Sequence, residues 1–387
     1  MSGIKSRNNS KLRSRILAFA FSVSGTFSAL ADDLESHVLA LESSDTQTRL
    51  EAINALGALE GEGTGAILKL LELVTSEDKM NRVNAVWALG KIAPKDPRIV
   101  RAMATALQSG DPEVAYNASL SLQWAGESAK SALIDVLENG KDEWGVFYAA
   151  FVLSGLDEAY AAKAEGIYVG MFQSGDLVKA RAGLEAMGRL SRLSDTMSNA
   201  LNEGLRSDDE SLRTASAYAA KNFGESARSF EALLIDAIRS ETSRDPRLAA
   251  IEALGAVSKS AAALEVLVEM LYSDDSRTRY WASQGLGGFG SDAIPLLKKV
   301  IGSDNHDARM AGFDAISQLD ALGTPFVDEL ISIYSKEGID AQFRILYALW
   351  ALGRDRKDVV DFISNEVENS DSDVVKAHAR AIMRPAD

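Results

Sequence analysis

The chain has 387 residues and is acidic, with 41 lysine and arginine residues against 56 aspartate and glutamate residues and a formal net charge of -15. It contains no cysteine, which excludes disulfides, thiolate catalysis and cysteine-ligated zinc. An acidic surface repels a phosphate backbone, so we expect no nucleic acid among its partners. Abundant alanine and leucine with only 7 prolines favour helices over strands.

The first predicted element is a secretory signal peptide over residues 1–31. A polar and basic head is followed by the uncharged run 16–31, which ends in Ala29-Leu30-Ala31. A transmembrane anchor would need about 20 apolar residues, and an organelle transit peptide would be amphipathic. We therefore expect cleavage after Ala31, a periplasmic or secreted protein, and no stable membrane insertion of the mature chain.

A repeat of 30 to 36 residues fills the rest of the chain, residues 32–387. Each copy ends in a segment such as Ala88-Leu89-Gly90, whose last residue we call position zero. A degenerate eleventh copy ends near Arg384. A near-constant period of this length predicts a solenoid of stacked units that cannot bury their apolar faces alone. The ten clear zero positions are Gly57, Gly90, Gln123, Gly155, Gly188, Lys221, Gly255, Gly287, Ser317 and Gly353.

Each repeat is predicted to be a helical hairpin whose second helix ends at position zero. Small residues five and two positions earlier let neighbouring helices approach, and the glycine at zero fits a left-handed C-cap. An aspartate twelve positions earlier is expected to cap the second helix, and an arginine eight positions earlier to join an inter-repeat hydrogen-bond ladder. The aspartates are Asp45, Asp78, Asp111, Asp176, Asp209 and Asp275. The arginines are Arg49, Arg82, Arg213, Arg247, Arg279 and Arg309.

The repeat resembles the HEAT repeat, in the short variety also found in phycobilisome bilin lyases. The resemblance rests on segments such as Asp111-Pro112-Glu113-Val114 and Ala88-Leu89-Gly90, and it covers residues 33–384. It implies an all-α, armadillo-like fold, a right-handed α-solenoid of about ten HEAT-like helical hairpins. One solenoid fold serves many functions, so the resemblance is specific for fold only.

Enzymatic relatives of the repeat offer an alternative function. Deoxyhypusine hydroxylase-like proteins carry His-Glu pairs for a di-iron centre, whereas none of His37, His306 and His378 is followed by glutamate, which disfavours that oxidoreductase chemistry. A bilin lyase-like or other accessory function stays open, although an export signal argues against it. We expect no catalytic residue, no cofactor and no metal site.

Two further motifs have ordinary structural interpretations. The glycines of Gly285-Leu-Gly287-Gly-Phe-Gly290 match a dinucleotide fingerprint, which needs a strand before it and a helix after it. Here the glycines lie at and around position zero of the repeat, Gly287, so we interpret the segment as the end of a helix. Asp304-Asn305-His306-Asp307 lacks the spacing and distal glutamate of a calcium loop and is interpreted as a capping turn between repeats.

An aromatic stripe is the candidate binding site. Positions three and seven before zero lie one helical turn apart and avoid the small-residue face. Because second helices should line the concave wall, aromatic side chains there would anchor a partner; the alternative is that they fill gaps between repeats. The sequence thus favours a non-enzymatic scaffold or adaptor in the cell envelope that binds a protein. The candidate residues are Trp87, Tyr116, Tyr148, Tyr218, Tyr280, Trp281, Tyr347 and Trp350.

Overall fold

All regular structure in the computed structural model is helical over residues 34–384, the range that it describes. The predicted signal peptide lies outside this range. The chain divides into two units, with the boundary between Ala164 and Glu165, and each unit is described by itself. Across 34–384, none of the helices combines the length and the apolar character needed to cross a membrane.

The first unit is a run of helices that alternate as first and second members of hairpins. Its helices are α1 (34–40), α2 (Thr46–Ala58), α3 (Ile67–Leu73), α4 (Lys79–Ile92), α5 (Pro97–Leu107), α6 (Pro112–Ala125), α7 (Lys130–Asn139) and α8 (Glu143–Leu156). Helix α9 (Ala161–Phe172) crosses the boundary between the units. Short 3-10 segments at Glu60–Ala66, Gly126–Ala129 and Glu158–Tyr160 lead from second helices into the next first helices.

The second unit continues the alternation. Its helices are α10 (Leu177–Met187), α11 (Asp195–Leu205), α12 (Glu210–Phe223), α13 (Glu231–Ser240), α14 (Arg244–Val257), α15 (Ala261–Met270), α16 (Ser276–Leu286), α17 (Ile294–Ile301), α18 (His306–Ser317), α19 (Val327–Tyr334), α20 (Ile339–Gly353), α21 (Lys357–Asn369) and α22 (Asp373–Ile382). Further 3-10 segments lie at Gly224–Phe230, Gly287–Ala293 and Asp320–Phe326. The even-numbered helices end within two residues of the predicted zero positions, so the predicted all-α repeat is confirmed.

The aspartate caps form as predicted. Asp78 accepts hydrogen bonds at 2.9 and 3.2 Å from the backbone N–H groups of Met80 and Asn81. Asp209 caps α12 in the same way. All six predicted aspartates accept a backbone N–H in the first turn of their second helix, where a negative charge also meets the positive end of the helix dipole.

The recurrent arginines connect each turn to the next repeat. Arg213 donates from Nη1 to the carbonyl oxygens of Ser207 and Asp208 at 2.8 and 2.9 Å, in its own turn. Its Nε lies 2.7 Å from Glu241 Oε2, at the turn of the following repeat. Equivalent pairs reach the next repeat at 2.9 to 3.6 Å. Among the described contacts, the predicted inter-repeat hydrogen bond therefore forms at Arg213, and the other three steps are ion pairs. The other pairs are Arg82–Asp111, Arg279–Asp307 and Arg309–Glu337. Arg49 and Arg247 donate hydrogen bonds within their own turns.

The predicted left-handed C-cap at position zero is wrong. Gly57, Gly90 and Gly255 lie inside their helices, and the zero glycines are not among those with positive φ. Gly57, Gly90, Gly188 and Gly255 are instead points of close approach, because successive second helices pack directly on one another within each unit, whereas a methyl group on Gly155 would meet nothing within 4 Å. A methyl group on Gly90 would lie 2.2 Å from Ser121 Oγ, on the next second helix. The left-handed glycines are Gly110, Gly126, Gly175, Gly224 and Gly290.

Candidate functional site

The predicted aromatic residues all lie on second helices, but they differ in exposure. Four tyrosines keep 40 to 55% of their surface exposed although the helices around them are largely buried. These are Tyr116, Tyr218, Tyr280 and Tyr347. The remaining four are half-buried and serve partly as packing. These are Trp87, Tyr148, Trp281 and Trp350.

In the first unit, Tyr116 of α6 and the aromatic residues of α8 form one cluster. The rings of Tyr116 and Tyr148 lie 5.9 Å apart, across two successive repeats. Trp144 stacks on Tyr148 with ring centroids 5.9 Å apart and contacts Phe147 edge-on at 5.7 Å. Trp144 was not among the predicted residues, although its place one turn before Tyr148 on the same helix is a signal that could have identified it. The result is a continuous aromatic surface that ends in the exposed Tyr116.

Trp87 has a different role from the rest of the set. A methyl group on Gly57 would come within 2.4 Å of a carbon of the Trp87 ring, so the ring lies directly on the preceding second helix. The structure therefore supports a role for Trp87 in filling the gap between two repeats.

In the second unit, a lysine lies between two aromatic rings and a carboxylate. Lys221 Nζ is 2.6 Å from Glu252 Oε2, and it lies 5.9 Å from the centre of the Tyr218 ring and 5.8 Å from that of Trp281. We call these four residues the Lys221 cage. Burial and the negative charge of Glu252 raise the pKa of the Tyr218 phenol, whose oxygen is 3.5 Å from Glu252 Oε1. Tyr280 extends the surface by an edge-on contact with Trp281 at 5.0 Å.

Beside Tyr280, a cleft of about 540 Å³ opens between α16, α18 and α20. Tyr280 and Phe343 supply its aromatic walls, and Asp314 with Arg344 forms an ion pair in it. Burial raises the pKa of Asp314 above its ordinary value, and the Arg344 guanidinium opposes that shift only in part. The cleft thus combines aromatic surface with partly desolvated charge.

Two other clefts are found in the described structure. One lies beside aromatic residues of α20, and the other lies away from all the predicted aromatic residues. One of about 630 Å³ is lined by Tyr347 and Trp350 together with Arg354. The other, of about 1120 Å³, lies between the first helices α5 and α7 of the first unit, and none of the predicted aromatic residues lines it. The structure therefore brings the candidates together as Tyr116–Tyr148, as Tyr218–Trp281–Tyr280, and as Tyr347–Trp350. That these groups form one concave stripe stays a prediction.

The glycine-rich segment 285–290 and the turn 304–307 have local structural roles in this chain. The glycine-rich segment follows helix α16, not a strand, and only Gly290 of its glycines has a positive φ, of 54°. Asn305 caps α18 by accepting from the backbone N–H of Ala308 at 2.9 Å, as the turn interpretation predicts. Over the described part of the chain, no three histidine, aspartate or glutamate side chains are grouped so that they could hold a metal ion.

Comparison with known proteins identifies the repeat and the fold. The family model for HEAT repeats matches residues 67–153, in the first unit, and residues 231–317, in the second. No curated protein matches the chain at a significant level. The resemblance to the short bilin lyase variety therefore stays a prediction.

Solved structures similar to the chain include yeast importin-β (Kap95p), at 14% identity with a TM-score of 0.55, covering 92% of this chain and 56% of that one. A Kap95:Nup1 complex matches at 14% identity and a TM-score of 0.55, covering 91% and 56%. Kap121p matches at 13% identity and a TM-score of 0.50, covering 91% and 45%. The chain spans about half the length of these proteins, and identities this low carry the fold alone. The chain is therefore an all-α helical solenoid that contains HEAT repeats.

Proposed function

We propose that this chain is a non-enzymatic scaffold or adaptor that binds a protein partner through the aromatic side chains of its second helices. One observation carries the proposal: Tyr116, Tyr218, Tyr280 and Tyr347 remain 40 to 55% exposed on helices most of whose other apolar residues are buried. Gap filling between repeats does not account for that exposure. Tyrosine combines a large rigid contact area with a polar tip, which suits an interface anchor.

The fold supports this proposal at a general level. Stacked repeats create an extended surface without a single enclosed pocket, which favours recognition of a large partner over a small one. The Kap95:Nup1 complex, whose fold is similar, is an example in which such a solenoid is in complex with another protein. The identity of a partner of the present chain does not follow from that likeness.

Site-specific photocrosslinking tests the proposal. A crosslinking amino acid would replace Tyr116 or Tyr280 in the native cell, and the same protein should be captured from both positions. Tyr272 is the matched control, because it is similarly exposed but follows the first helix α15. It should capture less of that protein.

Alanine substitutions then separate binding from stability. With the captured protein in purified form, the combined change of Tyr116, Tyr280 and Tyr347 to alanine should weaken binding at least about tenfold, as expected for interface anchors. The melting temperature should shift by only a few degrees, roughly the effect of 1 kcal/mol. A collapse of the melting temperature with unchanged binding by the folded fraction would assign these rings to packing and contradict the proposal.

We also propose that the protein works in the periplasm or outside the cell after removal of residues 1–31. The support is the sequence order of a basic head, an uncharged apolar run and Ala29-Leu30-Ala31 ahead of an acidic residue. Mass spectrometry of the native protein should find Asp32 as its N-terminus in the envelope or medium fraction. An Ala31→Arg variant should retain residues 1–31. A native protein that still begins at residue 1 and is found in the cytosol would contradict the proposed localisation.

A further inference from the structure

We propose that the Lys221 cage is the docking point for a lysine side chain of the protein partner, and that Lys221 is its resident occupant in the unbound chain. This inference rests on the proposed function, because it names the chemistry of the partner at the aromatic surface. The parts of the cage come from three successive second helices: Tyr218 and Lys221 from α12, Glu252 from α14 and Trp281 from α16.

The cage is built for an ammonium group. A cation gains from the faces of aromatic rings, and a charge-assisted contact with a carboxylate adds to it. Glu252 supplies that carboxylate from a side chain only 6% exposed, whereas the Lys221 side chain remains 39% exposed. The carboxylate is therefore fixed in the protein surface, while its cation sits on a flexible stem at the solvent edge.

The identity of residue 221 is itself unusual for the repeat. Seven of the ten clear zero positions are glycine, and at Gly57, Gly90, Gly188 and Gly255 the packing of successive second helices accounts for that choice. Helix packing does not require a lysine at position zero. The Lys221 side chain extends toward the next two repeats. We assign it to the cage, since its ammonium contacts groups from both of them.

A lysine from a partner can replace Lys221 without leaving a charge unpaired. The incoming ammonium meets the same carboxylate and the same rings, and the exposed Lys221 swings into water, where an ammonium is well solvated. Beyond Trp281, Tyr280 and Phe343 of the neighbouring cleft offer aromatic surface to residues that flank the lysine. The net charge of -15 draws a basic segment toward the chain.

Another lysine provides a matched control. Lys91 Nζ lies over the Trp124 ring at 4.5 Å, and among the described contacts it has no carboxylate partner. Replacing Lys91 or Lys221 by alanine removes the same charge, together with one cation–π contact for Lys91 and two for Lys221. Only the Lys221 change empties a site with a fixed carboxylate.

The test uses an N-acetylated hexalysine peptide as the probe, titrated calorimetrically into the mature chain at low salt. Lys221→Ala should bind it about tenfold more tightly than the native chain, the size expected when one charge-assisted contact is freed. Lys91→Ala should change the affinity by less than about twofold, since only general charge differs. Adding Glu252→Gln to Lys221→Ala should return the affinity to the level of Lys91→Ala.

Four further results decide the matter. Equal affinities of Lys221→Ala and Lys91→Ala would overturn the inference. Lys221→Gln, which keeps most of the side-chain bulk, should reproduce the gain and so excludes an effect of altered packing. Loss of partner capture on tyrosine substitution, with no gain for Lys221→Ala, would leave the scaffold standing and remove only the lysine site. A gain for Lys221→Ala with no partner at the tyrosines would instead contradict the proposed function.

Discussion

Gly255 and Gly285 lie against each other on the successive second helices α14 and α16, so closely that a methyl group on Gly255 would be 2.7 Å from the Cα of Gly285. Real Cβ atoms do not approach backbone atoms to this distance. Gly255, the glycine at position zero of this repeat, is therefore kept by helix packing and not by the turn that follows it. This contact fixes how closely one repeat can stack on the next.

Gly255→Ala should destabilise the chain by about 2 kcal/mol, because the added methyl meets backbone and forces the two helices apart. Chemical denaturation monitored by circular dichroism measures the change in the free energy of unfolding. Gly155→Ala is the control, since its Cβ would meet nothing within 4 Å inside helix α8. That variant should be neutral or more stable by up to about 1 kcal/mol, the helix-propensity gain of alanine over glycine. Equal effects of the two substitutions would contradict the packing role.

Glu231→Ala should also destabilise the second unit, through the loss of an inter-repeat acceptor. The Glu231 carboxylate accepts hydrogen bonds from the hydroxyls of Ser258 and Ser260, both at 2.5 Å. Ser258 is buried, so removing its acceptor leaves an unsatisfied hydroxyl and should cost about 2 kcal/mol in the free energy of unfolding. Glu265→Ala, at an exposed position of α15, should change stability by less than about 0.5 kcal/mol. A Glu231→Ala variant as stable as Glu265→Ala would show that these bonds contribute nothing net.

Asp96→Asn tests a charge-dependent contribution to acid stability. The neighbouring Arg98 side chain and backbone N–H lower the pKa of Asp96 from 3.8 to about 2. The folded chain therefore holds this proton less tightly than the unfolded chain does. Its stabilising effect is present above pH 3.8 and is lost as the pH falls toward 2. Because the pair is partly solvent-exposed, we expect at most about 1 kcal/mol.

Denaturation curves of the native chain and Asp96→Asn should converge as the pH is lowered through this window. Asparagine still caps a helix, so the comparison isolates the charge. Arg98→Met removes the main cause of the lowered pKa and should produce the same convergence. Curves that stay parallel from pH 3.8 to about 2 would contradict the assignment.

Local features of the repeat were predictable because each depends on residues close in sequence. The caps at Asp78 and Asp209 follow from a side chain and a backbone N–H two or three residues apart. The helix ends follow from the period of the repeat. These features repeat in successive units, so each copy supports the interpretation of the others.

Features set by contacts between repeats were not predictable in the same way. The glycine at zero has the same sequence signature whether it forms a C-cap or a close helix contact, and only the position of the next helix distinguishes the two. Glu252 was missed because it is an ordinary charged residue at a position that also holds aromatic residues. Lys221, at a position usually glycine, was the signal that could have drawn attention to this site.

Trp87 and Tyr347 should respond in opposite ways to alanine substitution, although both belong to the predicted aromatic stripe. The Trp87 ring packs on the preceding second helix at Gly57, so Trp87→Ala leaves a cavity between repeats and should cost about 3 kcal/mol of stability. Tyr347 is 55% exposed, so Tyr347→Ala should cost less than about 1 kcal/mol and should instead weaken binding of a partner. Thermal unfolding and partner titration on both variants measure the two effects. A stability loss of equal size in both would show that exposure does not separate packing rings from binding rings in this repeat.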